Sequence, residues 1–116
     1  MSRNYMSKND ELRKGDYLMS NNGQWKAVFQ DDGNFVIYGW KPIWASDTCG
    51  SDVTRLIMQA DCNLVMYNQC NQPKWATGSY KQGDNVCRLH LSDEGILHLH
   101  HDSQELWNST KSKGKK

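Results

Sequence analysis

Apolar and polar residues alternate in short runs along most of the chain, and clusters of Gly, Asn and Asp separate the runs. Such alternation predicts half-buried β-strands, and the clusters predict the turns between them. The first strand is predicted to begin at Tyr17, and Asn22-Gly23 predicts a hairpin turn into a second strand over 25–30. The pattern favours a helix almost nowhere. We therefore expect an all-β fold.

One short polar stretch occurs twice in the same form. Positions 30–38 and 59–67 both carry Gln, Asp, Asn, Val and Tyr at alternate positions, in the pattern Q-x-D-x-N-x-V-x-Y. Positions 91–99 align as a third copy in which only Asp93 and an aliphatic residue, Leu97, stay in register. Leu, Gly and Leu replace the Gln, Asn and Tyr of this copy. The third copy thus keeps the pattern without the chemistry.

Three tryptophans mark the ends of successive repeats. Trp44, Trp75 and Trp107 recur with a period of about 30 residues, which is typical of supersecondary units that bury a core only together. The repeats span approximately 17–47, 48–78 and 79–110, and the second is predicted to have strands over 53–59, 64–67 and 74–77. The tryptophans are expected in the shared core; the alternative is an aromatic platform for sugar stacking.

Length, charge and termini narrow the class of protein. A chain of 116 residues is about one domain, here 1–110, and residues 111–116, with four lysines and no apolar side chain, are predicted to be a disordered basic tail. The net charge of +1 does not indicate a nucleic-acid partner, and no apolar run approaches the roughly 20 residues of a membrane span. The polar start does not resemble a signal peptide, so the protein is expected to stay inside the cell or to leave without a cleavable leader.

Four cysteines, at positions 49, 62, 70 and 87, form no C-x-x-C pair, so a zinc ribbon is not expected. Disulfides are the better interpretation, which favours an oxidising compartment and conflicts with the absence of a leader. Three pairings are possible, and the sequence alone does not choose among them.

The repeated motif favours a polar ligand. In an extended strand its five alternate residues would share one face, and burying four polar side chains without partners would cost several kcal/mol. A surface groove that binds the hydroxyls of a sugar suits them better, with Val against the apolar face of the ring. Alternatively, Asp and Asn form a tight turn for local backbone hydrogen bonds, and the side chains converge by folding back. Both arrangements remain open.

Two complete motifs in a three-unit chain with Trp-Ala-Ser/Thr unit ends resemble the bulb-type, or monocot mannose-binding, lectins, and most closely the lily-type lectins of fish. The resemblance covers roughly positions 9–110. It implies a β-prism II fold: three antiparallel β-sheets of about four strands around a pseudo-threefold axis, with the tryptophans at the centre. It also implies binding of α-D-mannose without a metal or any other cofactor.

Transferred to this sequence, the resemblance implies two sugar sites and one degenerate site. The first consists of Gln30, Asp32, Asn34, Val36 and Tyr38, and the second of Gln59, Asp61, Asn63, Val65 and Tyr67. The third retains only Asp93 and Leu97, and we expect it to bind mannose weakly or not at all. Two sites per chain imply cross-linking of mannose-containing glycans by a homodimer, in mucosal innate defence. The expected location is extracellular or in mucus, with the cytoplasm as the alternative.

The resemblance also implies a disulfide between Cys62 and Cys87. Cys49 and Cys70 then remain, in turns that an up-down-up meander places at the same end of the second unit. A second bridge between them is therefore sterically reasonable. The alternative is a bond between subunits.

Other signals receive less weight. His98 and His100 would share a strand face at a spacing that can hold Zn or Cu, but ordinary polar strand residues are the more frequent interpretation, and no metal is expected. Asp32 and Asp61 lie in repeated, polar settings that are expected to be exposed and are not those of catalytic carboxylates, so an enzyme is not predicted. A structural or protein-binding β-prism, whose motifs serve turn geometry alone, is the alternative function.

Overall fold

The computed structural model describes residues 3–116, and all of the secondary structure in this range is β-strand and turn. No helix long and apolar enough to cross a bilayer occurs in it. The strands are β1 Tyr5–Met6, β2 Glu11–Arg13, β3 Tyr17–Met19, β4 Lys26–Phe29, β5 Phe35–Tyr38, β6 Pro42–Ala45, β7 Val53–Met58, β8 Leu64–Asn68, β9 Pro73–Ala76, β10 Cys87–Leu91, β11 Leu97–His101 and β12 Gln104–Asn108.

The strands form three antiparallel four-stranded sheets, as the resemblance implies for a β-prism II. Their strand orders are β3-β4-β5-β6, β2-β7-β8-β9 and β1-β10-β11-β12. Each sheet contains the three-stranded meander of one repeat, and the strands of the first two repeats lie close to their predicted positions. The predicted hairpin of β3 and β4 is present, with Leu18 opposite Ala27.

The fourth strand of every sheet comes from residues 5–19. β1 pairs with β10, β2 with β7 and β3 with β4, so this segment crosses all three sheets. The alternation of residues indicated a strand only from Tyr17. β1 and β2 contain two and three residues, of which Met6 and Leu12 are buried, and a strand this short shows no periodicity.

The three repeated tryptophans meet at the centre of the prism, as predicted. The rings of Trp44 and Trp107 lie 5.9 Å apart, and those of Trp75 and Trp107 lie 6.5 Å apart, both in edge-on contact. Such arrangements are favourable for aromatic pairs. Phe35 packs edge-on against Trp44 at 6.2 Å. Trp75 and Trp107 belong to the buried core, and the half-buried Trp44 packs against it.

Residues 111–116, predicted to be disordered, are ordered against the second sheet. Lys115 forms an antiparallel bridge with Ala76, with N–H···O distances of 2.7 and 2.8 Å, and Trp75 Nε1 donates to the carbonyl of Lys113 at 2.7 Å. The prediction was wrong because backbone groups and one indole N–H hold this segment. Its side-chain composition contains no sign of these contacts.

We expect Gly114→Ala to displace this segment. Gly114 has φ of 79°, and an added Cβ would lie 2.6 Å from both the Ala76 carbonyl and the Trp75 ring. A strained position of this kind costs about 1–3 kcal/mol. Limited trypsin digestion at the tail lysines should become faster, and the melting temperature should fall by several degrees. Gly83→Ala is the control, because Gly83 has φ of 95° and open space around it. Equal digestion rates for the two variants would contradict the contact.

A disulfide joins Cys62 to Cys87, as expected, and links the second unit to β10 of the third. Cys49 and Cys70 are free and exposed, so the prediction of a second disulfide between them was wrong. The two turns do meet, since Asn68 donates to Asp52 at 3.0 Å. However, Gly50 N donates to the Asp32 carbonyl at 2.7 Å, which holds the Cys49 turn against the first unit instead.

Candidate functional site

Both complete motifs begin at a tight turn, which decides between the two arrangements left open above. In the first, Gly33 N donates to the Gln30 carbonyl at 3.0 Å, and Gln30 N donates to the Asn34 carbonyl at 2.9 Å. Gly33 has φ of 85°. Gln59, Cys62 and Asn63 repeat this pattern, with Cys62 at φ of 68°. This is a three-residue hairpin loop with a left-handed residue at its end. The motif side chains converge by folding back across it.

The motif aspartates use one carboxylate oxygen to fix the turn. Asp32 Oδ1 accepts from Asn34 N at 2.9 Å, and Asp61 Oδ1 accepts from Asn63 N at 3.0 Å. The exposed Cys49 thiol lies 3.5 Å from Asp32 Oδ2, and this hydrogen bond and the negative charge of Asp32 raise the pKa of the thiol. A thiol is a weak donor, so a ligand hydroxyl can replace it.

The motif asparagines are held by their side-chain carbonyl. Asn34 Oδ1 accepts from Thr48 N at 3.1 Å and from Ser46 Oγ at 3.2 Å. Asn63 Oδ1 accepts from Gly78 N at 3.0 Å and from Ser79 N at 3.3 Å. These bonds fix the amide plane, and within residues 3–116 the NH₂ groups are not used as donors.

Gln and Tyr complete each motif over a buried valine. Tyr38 OH donates to Gln30 Oε1 at 3.3 Å, and Gln59 Nε2 donates to Tyr67 OH at 2.7 Å. Val36 and Val65 are only 4% and 3% exposed and form the apolar floor beside them. A depression of about 440 Å³ beside the first motif is lined by Gly15, Val28, Gln30, Asp31 and Asp32. Each motif therefore presents donors and acceptors around a small apolar surface.

The second motif has an additional neighbour. The Arg55 guanidinium lies 5.6 Å from the centre of the Tyr67 ring, donates to Asn71 Oδ1 at 2.8 Å and lies 3.6 Å from Glu11 Oε2. In the first sheet the corresponding cation, Lys26, lies instead 4.2 Å from the centre of the Tyr17 ring. The two sites therefore share a motif and differ at their edges.

In the third unit the structure shifts the predicted register by one residue. Gly95 has φ of 81°, its N donates to the Ser92 carbonyl at 3.0 Å, and Ser92 N donates to the Ile96 carbonyl at 2.9 Å. Gly95 therefore corresponds to Gly33 and Cys62. The positions of Gln, Asp, Asn, Val and Tyr are taken by Ser92, Glu94, Ile96, His98 and His100.

Asp93 and Leu97, predicted to remain in the degenerate site, have other roles. Asp93 Oδ1 accepts from Asn22 N at 3.0 Å, which ties the third unit to the first. Leu97 is completely buried in the core. The alternating leucines of this unit face inward, whereas the alternating residues of the intact motifs face outward. Alignment of the third copy with the others on Asp93 conceals this difference, whereas alignment of Gly95 with Gly33 shows it.

The outer face of the third sheet carries a cluster of histidines, as their spacing in the sequence indicated, together with Glu105, which the sequence did not single out. The His90 ring lies 5.0 Å from that of His98 and 5.4 Å from that of His100, stacked on both. Burial and the nearby His98 and His100 lower the pKa of His90. Glu105 bonds His98 Nδ1, and Asn108 Nδ2 donates to Glu105 at 2.8 Å. These two hydrogen bonds lower the pKa of the Glu105 carboxyl.

No model of a known protein family matches this sequence. The chain is 66% identical to the B-type lectin plumieribetin of Scorpaena plumieri over 97% of its own length and all of that protein. A monomeric monocot mannose-binding lectin from Gastrodia elata matches the structure with a TM-score of 0.83 at 28% identity, over 94% of this chain and 98% of that one. The snowdrop (Galanthus nivalis) mannose-specific agglutinin, solved with methyl-α-D-mannoside, gives a TM-score of 0.78 at 31% identity, over 94% and 97%.

The three sheets and their repeated motifs define the protein as a β-prism II. Identity of 66% over the whole of plumieribetin shows the family as well as the fold. The chain belongs to the bulb-type, or B-type, lectins.

Proposed function

We propose that the protein is a lectin that binds α-D-mannose and mannose-containing glycans at two sites, without a metal or other cofactor. One observation carries the proposal: the two complete motifs fold into the same hydrogen-bonded geometry on two different sheets. The snowdrop agglutinin, a relative in structure and sequence, was solved with a mannoside. The sites are Gln30, Asp32, Asn34, Val36 and Tyr38, and Gln59, Asp61, Asn63, Val65 and Tyr67.

The geometry gives each residue a role. The second oxygen of Asp accepts from a sugar hydroxyl, the NH₂ group of Asn donates, and Gln and Tyr each donate or accept. Val lies against the C–H surface of the ring. Because the turn already fixes Asp and Asn, binding orders few side chains and loses little conformational entropy.

Two sites on separate sheets allow one chain to engage two sugars of a glycan surface. Linked weak sites gain avidity without any new contact, provided that the spacing of the sugars permits both to bind. We propose that the protein cross-links glycans as a homodimer, outside the cell or in mucus, in innate defence. Light scattering during size-exclusion chromatography tests the dimer.

Retention on mannose-agarose tests the proposed function. The protein should bind in the presence of EDTA and elute with free mannose. Free galactose is the control and should not elute it. Free mannose should raise the melting temperature. Absence of both retention and a melting shift would overturn the proposal.

A structural role is the second candidate, because the motif Asp and Asn also hold the turns through the bonds described above. On that view, free mannose leaves tryptophan fluorescence and the melting temperature unchanged. We propose no catalytic role, and incubation with aryl α-mannosides should release no aryl alcohol above the background rate.

A further inference from the structure

The third sheet differs from the other two by a connected set of substitutions on its outer face. His98 and His100 occupy the positions of the motif Val and Tyr. His90 pairs with His98 as Val28 pairs with Val36 and as Ile57 pairs with Val65. Three positions that are apolar or aromatic in the sugar sites are thus histidine here.

Two further changes lie on the neighbouring strand. Glu105 is opposite His100, where the other sheets place Pro42 opposite Tyr38 and Pro73 opposite Tyr67. Asn108 is opposite His98, where the other sheets have Ala45 and Ala76. A carboxylate and an amide have therefore replaced residues without polar side chains, directly beside the histidines.

The substituted residues are close enough to share one ion. His98 and His100 alternate on β11 and point to the same side of the sheet. One side-chain ligand atom each from His98, His100 and Glu105 lies within 4.8 Å of the others. His100 Nε2 is 3.8 Å from the same Glu105 oxygen that bonds His98 Nδ1. All three side chains are about one-quarter to one-third exposed, so small side-chain rotations can adjust these distances.

The surroundings support the three ligands. Asn108 Nδ2 donates to Glu105 Oε2 at 2.8 Å, which leaves Oε1 directed at the histidines. His90 stacks on His98 at an interplanar angle of 18° and on His100 at 27°, and so restricts both rings. Hydrogen-bonded partners that orient a ligand, as Asn108 orients Glu105, are usual at metal sites.

We propose that this face binds one Zn²⁺ ion through His98, His100 and Glu105, with the fourth position open to solvent. Two imidazoles and one carboxylate suit zinc better than calcium or magnesium, which prefer oxygen ligands. Tetrahedral coordination at about 2.0–2.2 Å places ligand atoms roughly 3.3–3.6 Å from one another. The His98 and Glu105 atoms would therefore move apart, and His100 Nε2 would move slightly closer to Glu105. The ion would replace the hydrogen bond between His98 and Glu105. This site lies on a different sheet from both motifs, so it does not depend on the proposed sugar binding.

The test is a calorimetric titration of metal-free protein with ZnCl₂, with Co²⁺ absorption as a spectroscopic measure of tetrahedral coordination. The parent protein and all variants in this test carry Cys49→Ser and Cys70→Ser, because exposed thiols also bind zinc. One ion per chain is expected. His98→Val with His100→Tyr, which installs the residues of the sugar sites, should abolish binding. Glu105→Gln should weaken it at least about tenfold, the scale on which even partners of metal ligands act.

His101→Asn is the matched control, since His101 lies on the same strand but outside the cluster, with its Nε2 3.9 Å from Asp102. Its zinc binding should be unchanged. Circular dichroism shows whether each variant is folded. If the variant with both His98→Val and His100→Tyr is unfolded, zinc binding by Glu105→Gln tests the site instead. Absence of zinc binding by the parent protein would overturn the site. Unchanged stoichiometry and affinity in Glu105→Gln or in the folded double variant would do so too.

Discussion

Replacement of both Asp32 and Asp61 by Asn is expected to abolish retention on mannose-agarose. The variant amide oxygen can still accept from the backbone N–H of Asn34 or Asn63, so the turn is preserved. The second oxygen becomes an NH₂ group, which replaces the charged acceptor of each site. Hydrogen bonds to charged groups contribute about 1.5–3 kcal/mol, so affinity at each site should fall roughly tenfold to a hundredfold.

Single variants separate the two sites. Calorimetry of Asp32→Asn and of Asp61→Asn should each give one sugar per chain instead of two. Asp93→Asn is the control. Asp93 lies in the corresponding turn of the third unit, but its carboxylate accepts from Asn22 N instead of lying on the outer face of the sheet. It should bind like the parent protein. Full retention by the double variant would count against the proposed sites, and loss of binding in Asp93→Asn would count against the corrected register.

Removal of the Cys62–Cys87 disulfide should produce the largest loss of stability. The bridge spans 25 residues of sequence, and closing a loop of that length stabilises a fold by about 3 kcal/mol. Cys62→Ala with Cys87→Ala should therefore lower the free energy of unfolding in urea by about that amount.

Cys62 adds a second effect, because it stands in a left-handed conformation where the other two turns have glycine. Cys62→Gly with Cys87→Ala should be more stable than the double alanine variant by up to about 1 kcal/mol. Cys49→Ser with Cys70→Ser provides the control and should change stability by less than about 0.5 kcal/mol, since both residues are exposed. A urea midpoint for the double alanine variant equal to that of this control would show that the bridge does not constrain the chain.

Much of the fold followed from residue patterns that act locally. Asn22-Gly23 and the alternation around it gave the first hairpin, and the spacing of Trp44, Trp75 and Trp107 gave three units with a common core. These signals are strong because turn geometry and core burial depend on residues close together in sequence. The composition of the two motifs was sufficient to locate them, although only the structure showed how their turns direct the side chains.

Where prediction failed, the cause was contact between distant segments. Met6 and Leu12 are single apolar residues whose burial depends on strands β10 and β7. The 111–116 segment is held by the Trp75 indole and the backbone of Ala76. The predicted register of the third motif was wrong by one residue, because the alternating apolar residues of this unit are leucines that face the core. In each case the local residues are compatible with more than one arrangement, and the partner decides.

The course of residues 5–19 through all three sheets has a consequence for biosynthesis. β1 can pair only after the strand that contains His90 has been synthesised, because Tyr5 lies opposite His90. In the same way, β2 requires the strand that contains Leu56, which lies opposite Leu12. Contacts this far apart in sequence are slow to form, because a long loop must close before they stabilise the chain. The three repeats are therefore expected to fold together, after most of the chain has left the ribosome, so that neither proposed sugar site is expected to form on the nascent chain.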